Sequence, residues 1–87
     1  MSVTLYKQNM NFRLRNIAKQ NVLFGNGKAF KMNETAVLIW ENLDGSTSVD
    51  SIIDLIVDTY KCEKTLAIKD TNSFICFLHG IDAIKEV

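Results

Sequence analysis

The stretch Lys28-Ala29-Phe30-Lys31-Met32-Asn33-Glu34-Thr35-Ala36-Val37-Leu38-Ile39-Trp40-Glu41-Asn42-Leu43-Asp44-Gly45 changes its hydrophobic period partway along. From Lys28 to Met32 the side chains alternate, with Ala29 and Lys31 on one face and Phe30 and Met32 on the other. That is the period of a half-buried strand. Ala36, Ile39, Trp40 and Leu43 then follow at helical spacing. Asn33 stands at the junction, where its side-chain oxygen can satisfy free N–H groups of a first helical turn. Asp44-Gly45 stops the helix. A strand that runs directly into a helix sets the layout on either side of it.

Upstream, Phe12 and Leu14 alternate with Arg13 and Arg15 as a first strand. Asn16 to Gln20 reads as a turn region, and Asn21–Phe24 as a second short strand. Gly25-Asn26-Gly27 is a turn signal, because glycine and asparagine tolerate positive φ. Lys28–Met32 is therefore the third strand of a small antiparallel meander, which needs a hydrophobic cover to be stable. Downstream, Thr47-x-x-Asp50 reads as a capping-box-like start to a second helix. Its apolar stripe is Val49, Ile52, Ile53, Ile56 and Tyr60, while Asp50, Asp54 and Asp58 recur on another face. Cys62–Thr65 reads as a polar connector, and the spacing predicts a third helix from about Asp70 to about Gly80. Thr71, Phe74, Ile75 and Leu78 share its core face. Phe77 lies about 60° from Phe74, where it either widens the core or walls a groove. The expected architecture is α+β: a three-stranded antiparallel sheet followed by three helices.

With 87 residues, 47% hydrophobic and 23% charged, the chain has room for one core only. The longest apolar run, Ala36–Trp40, is far below the ~20 residues that span a bilayer. Met1–Met10 has no signal-peptide pattern, so the expected location is cytoplasmic, with no membrane contact. Cys62 and Cys76 have no CxxC spacing and His79 is the single histidine, too few ligands for a metal site. Both cysteines are expected as plain thiols. There is no GxGxxG, GxxxxGK[ST] or HExxH. Cys76 and His79 share a helix, but no third orienting group or oxyanion donor accompanies them. No catalytic residue and no cofactor are expected, and the chain reads as a non-enzyme. Its neutral net charge hides a division. Residues 1–32 hold six basic side chains and no acid, whereas residues 33–87 hold four lysines and ten acids. The halves either attract each other across the fold or the basic half meets an anionic partner.

One further pattern is the order of particular residues. Phe30-x-Met32-Asn33-x-Thr35-Ala36-x-x-Ile39-Trp40-Glu41-x-Leu43-Asp44-Gly45 resembles the central signature of the PqqD-like family, also called RiPP recognition elements. The resemblance continues through Thr47-x-Val49-x-x-Ile52-Ile53, Tyr60, and Asp70 followed by Phe74, Ile75 and Leu78. It runs from about Phe12 to Ile84. Met32 stands where leucine is usual, and Asp82 where a glycine often follows the last helix. By this resemblance the chain divides into an N-terminal extension, residues 1–10, and a PqqD-like peptide-binding domain, residues 11–87, of winged-helix-like form.

The resemblance implies capture of the leader segment of a ribosomally made precursor peptide and its presentation to a modifying enzyme of the same pathway. The leader would add as a strand to Lys28, Ala29, Phe30, Lys31 and Met32. Asp70, Ser73, Phe77 and Ile81 would stand on the opposite wall, and Lys28 and Lys31 would suit an acidic peptide. The domain would act as a monomer or as a weak dimer through the sheet edge. Two other classes fit the layout. A winged-helix DNA-binding protein has the same elements, but Asp70–Gly80 holds no lysine or arginine and the Asp50, Asp54 and Asp58 row would repel DNA, so no nucleic-acid partner is expected. A structural subunit pairing edge to edge with itself is the other.

Overall fold

The computed structural model describes residues 4–87. The chain runs β1 (Leu5–Gln8), β2 (Arg13–Ile17), β3 (Gln20–Gly25), β4 (Lys28–Met32), α1 (Glu34–Asn42), β5 (Asp44–Ser48), α2 (Val49–Tyr60), α3 (Lys64–Gly80) and β6 (Ile84–Glu86). The expected meander is the sheet β2-β3-β4, and the three helices follow it in order. Both of its hairpins close with two residues at positive φ, Ala18-Lys19 and Asn26-Gly27. This is the turn whose twist matches that of the flanking strands. The first turn is shorter than the Asn16–Gln20 region read from the sequence: Asn16 pairs with Asn21, and Ile17 with Gln20. Asn26-Gly27 favours positive φ intrinsically, whereas Ala18-Lys19 does not.

Beneath the meander the helices bury one face of it. Phe12, Leu23 and Met32 point inward from the sheet and meet Ile39, Trp40, Leu43, Ile52, Ile56, Ile75 and Leu78. Trp40 is only 3% exposed, so the single tryptophan plugs the space between helices and sheet. Gly25 is required here. A Cβ built on it would lie 2.3 Å from the Phe12 ring, which packs flat over that position. Helix α1 is capped as expected, with Asn33 Oδ1 accepting from the Ala36 N–H at 2.8 Å. The cap of α2 is Ser48 rather than Thr47, its hydroxyl accepting from the Ser51 N–H at 3.1 Å. Tyr60 closes α2 on the exposed side rather than in its core stripe.

A second sheet, order β5-β1-β6, was not foreseen. Of the segment 1–10 set off above as an extension, residues 5–8 form its middle strand, and residues 1–3 lie outside the described residues. Instead of leading straight into the second helix, the Asp44-Gly45 stop begins β5, antiparallel to β1. At its head the Asp44 carboxylate accepts from the Ser46 and Thr47 N–H groups. The Ser46 bond is the first cause of a carboxyl pKa below the ordinary aspartate value. Asn9 ties the two sheets together: its N–H donates to Ala83 O at 2.8 Å, its side-chain amide to Asp82 O at 2.7 Å, and its carbonyl accepts from the Phe12 N–H.

Helix α3 starts at Lys64, six residues before the expected Asp70, and its N-cap Glu63 makes no side-chain capping bond. Its other end is a Schellman motif. Ala83 N–H donates to Leu78 O at 2.9 Å and Asp82 N–H to His79 O at 3.2 Å, with Asp82 at φ +62°. Ala83 and Leu78, both fully buried, supply the apolar contact that accompanies this ending. The position where glycine is usual thus keeps its left-handed conformation with an aspartate in it. Asp82→Gly should therefore stabilise the fold by about 0.5–1 kcal/mol, read as a Tm rise of a few degrees. Asp82→Val, β-branched at positive φ, should lower Tm.

Candidate functional site

The second hairpin determines what β4 offers to a partner. Its two-residue turn makes Gly25 and Lys28 a hydrogen-bonded pair, and antiparallel pairing then alternates. Lys28, Phe30 and Met32 therefore direct their main-chain N–H and C=O groups to β3. Those of Ala29 and Lys31 point outward from the sheet, where β4 is the edge strand. An unpaired row of this kind is a template for another strand.

Helix α3 lies along this edge and runs back against the direction of β4. At the start of β4, Lys28 and Phe30 share a cavity of about 240 Å³ with Phe12, Gly80, Ile81 and Asp82. In the middle, Phe30 meets Phe77 edge to face with ring centroids 5.3 Å apart, and Phe74 stacks on Phe77 at 6.3 Å. Beyond Met32, α1 replaces β4 as the second wall. There Asp70, Ser73 and Phe74 face Asn33, Thr35, Ala36 and Ile39 across a cleft of about 430 Å³. The result is one groove with an aromatic saddle at its centre and a recess at each end.

Each residue singled out from the sequence has a place in this geometry. Lys28, Phe30, Phe77 and Ile81 are brought together at the saddle and first recess, and Asp70 and Ser73 at the second. Met32 is buried, so only its main chain lies near the groove. Ala29 and Lys31 present their backbone to the edge, while their side chains project onto the far face of the sheet, away from the groove. Phe77 is 41% exposed, so a large part of its ring lies outside the core. Among the described residues no group of three or more His, Cys, Asp or Glu side chains could hold a metal ion. Cys62 and Cys76 are free thiols.

Sequence reasoning missed the α1 wall, Asn33, Thr35, Ala36 and Ile39. The direct passage from β4 into α1 was the signal, since a helix starting there must flank the end of the strand. It also missed Leu66. That residue is 51% exposed and sits on the Asp70, Ser73 and Phe77 face at helical spacing, on turns of α3 that precede the start expected near Asp70. Those turns also add Lys64 and Lys69 to the helix; Lys64 lies 3.7 Å from Asp54.

The domain is α+β and winged-helix-like, with an open strand edge on β4 beside a partly exposed aromatic on α3. The chain belongs to the PqqD family: the family model described as coenzyme PQQ synthesis protein D (PqqD) matches residues 13–84. Two solved structures share the fold, each with a TM-score of 0.77. One, described as TbiB1 in complex with the TbiA(beta) leader peptide, is 20% identical and covers 91% of this chain and 94% of its own. The other is the solution structure of the PqqD truncation of Methylobacterium extorquens PqqCD, described as a functional, stand-alone RiPP recognition element. It is 19% identical and covers 93% of this chain and 88% of its own. No curated protein matches the sequence significantly.

The exposure of Phe77 sets its contribution to folding. A fully buried Phe→Ala costs about 3–5 kcal/mol. Phe77→Ala forfeits a partly wet side chain and its contact with Phe30, so about 1–2 kcal/mol is expected, measured by urea unfolding with an unchanged m-value.

Proposed function

We propose that this protein binds the leader segment of a ribosomally made precursor peptide as an additional strand on β4, and presents it to a modifying enzyme. The observation that carries the reading is the unpaired main chain of Ala29 and Lys31 beside the Phe30–Phe77 saddle. Strand addition uses main-chain bonds for much of its affinity and side-chain recesses for its choice of peptide. The groove supplies both. Peptide residues on the groove side would occupy the recess at Lys28, Phe30 and Ile81 and the cleft at Asp70 and Ser73. Lys28 would favour an acidic residue near the first recess. Family membership supports this reading, as do a structural neighbour described in complex with a leader peptide and another described as a recognition element.

The role is one of binding, without a catalytic residue or cofactor of its own. Described residues 4–87 contain no helix long and apolar enough to cross a membrane. A DNA-binding reading gains nothing from α3: beside Lys69, its other lysine is near Asp54, and Asp70 stands on the exposed face.

Titration with the leader of a precursor peptide from the protein's own pathway tests the reading. Amide resonances of Ala29 and Lys31 should shift and gain exchange protection, while Phe30 and Met32, already bonded to β3, should change less. Phe77→Ala should weaken binding by ~2 kcal/mol, about thirtyfold in Kd. Protection appearing at Leu14 and Asn16 on the β2 edge instead, or Phe77→Ala binding as tightly as the parent, would overturn strand addition on β4.

A further inference from the structure

The meander has a second face that neither the core nor the groove uses. Arg13, Arg15 and Ile17 of β2, Val22 and Phe24 of β3, and Lys31 of β4 project from it on the side opposite the helices. Pairing sets them in rows: Arg13 beside Phe24, and Arg15 beside Val22 beside Lys31. Phe24 and Val22 are half-buried at the centre, and Ile17 is 49% exposed. A shallow depression of about 400 Å³ runs between Arg13, Arg15, Ile17 and Phe24. The ion pairs among the described residues are Lys61–Asp58 and Lys64–Asp54, so none of these three cations is neutralised. No acid occurs before Glu34.

An apolar centre flanked by two arginines on one side and a lysine on the other has the composition of an interface anchor. An unbalanced set of cations selects an anionic surface to cover it. Its extent argues for a brief contact. Three strands about 4.8 Å apart and some 17 Å long give roughly 200–250 Å², against the ~800 Å² per partner of a standard stable interface. A strand added beside β4 would widen this same face by one more row, since alternate side chains of the peptide would stand next to Ala29 and Lys31.

We propose that the outer face of the β2-β3-β4 sheet docks an acidic, apolar-centred surface of the modifying enzyme, and does so better when the peptide strand is in place. The inference rests on the strand-addition reading of β4. The enzyme thereby meets domain and peptide on one continuous sheet face, while the groove on the other side of β4 keeps hold of the peptide.

The test uses the modifying enzyme of the same pathway, the intact domain, and the leader. Arg13→Glu/Arg15→Glu changes two exposed side chains and should leave Tm and leader affinity nearly unchanged. It should weaken enzyme binding about tenfold or more, and the leader should tighten enzyme binding to the parent domain. Asp50→Lys/Asp54→Lys on α2 should have no such effect. Enzyme affinity untouched by the arginine reversals, or lost only in the α2 variant, would overturn the proposal. So would loss of leader affinity in step with enzyme affinity, which would make this face part of the peptide site. Concentration-dependent self-association abolished by the reversals would assign the face to a second copy, and binding of a single-stranded oligonucleotide in place of the enzyme would assign it to nucleic acid. The groove reading is judged separately, by amide shifts of Ala29 and Lys31 with leader alone.

Discussion

The Asn26-Gly27 turn fixes the register of β4 against β3, and most of what this protein presents to the outside follows from that register. A strand's side chains alternate with a period of two, so a slip by one residue would carry Phe30 and Met32 out of the core and Ala29 and Lys31 into it. The same slip would turn the unpaired main-chain groups inward. Held as it is, the hairpin points Phe30 at Phe77, seals Met32 against the helices and leaves Ala29 and Lys31 open along the edge. A turn of two residues therefore sets the core, the edge and both sheet faces at once.

Both outer strands of the meander have a free edge, and the two differ in what surrounds them. β2 carries Arg13 and Arg15, and charged residues of that kind discourage pairing with another chain. β4 is flanked by α3, whose exposed face carries Leu66, Asp70, Ser73 and Phe77. A strand arriving at β4 would gain main-chain bonds together with apolar cover from Phe77. This difference in company, more than any difference in backbone, favours β4 over β2 for the strand addition proposed above.

The second sheet explains how so small a chain holds that groove steady. β1 joins β5, from between α1 and α2, to β6 at the end of the chain, and Gln8 adds bonds from β1 to Trp40 and Leu43 carbonyls. Asn9 then links β1 to the loop after α3. The C-terminal end of α3, which forms one recess of the groove, is thereby tied to the strand leading into Phe12. The Schellman ending at Asp82 belongs to this same junction, and tolerates an aspartate at positive φ because its carbonyl and the neighbouring N–H groups are all engaged.

What the sequence determined by itself is the part written in side-chain periodicity and turn chemistry. The alternation of Lys28–Met32, the Asn33 cap, the Ala36, Ile39, Trp40 and Leu43 stripe, and the Asn26-Gly27 turn each state a local preference that the fold keeps. Phe77 was legible as a flank residue, though a core role and a groove role could not be separated from angle alone. Tertiary structure decided the rest. β1, β5 and β6 are three to five residues each, and their pairing is made by main-chain groups common to every residue, between segments dozens of positions apart. Such pairing leaves no local signature in side chains. The first turns of α3 were hidden for a related reason: with Ala67 the one buried residue from Lys64 to Lys69 and no side-chain cap at Glu63, they show no apolar stripe and no start signal. The α1 wall of the groove needed the relative placement of two helices, which depends on how Trp40 and its neighbours pack and on nothing that a single segment can specify.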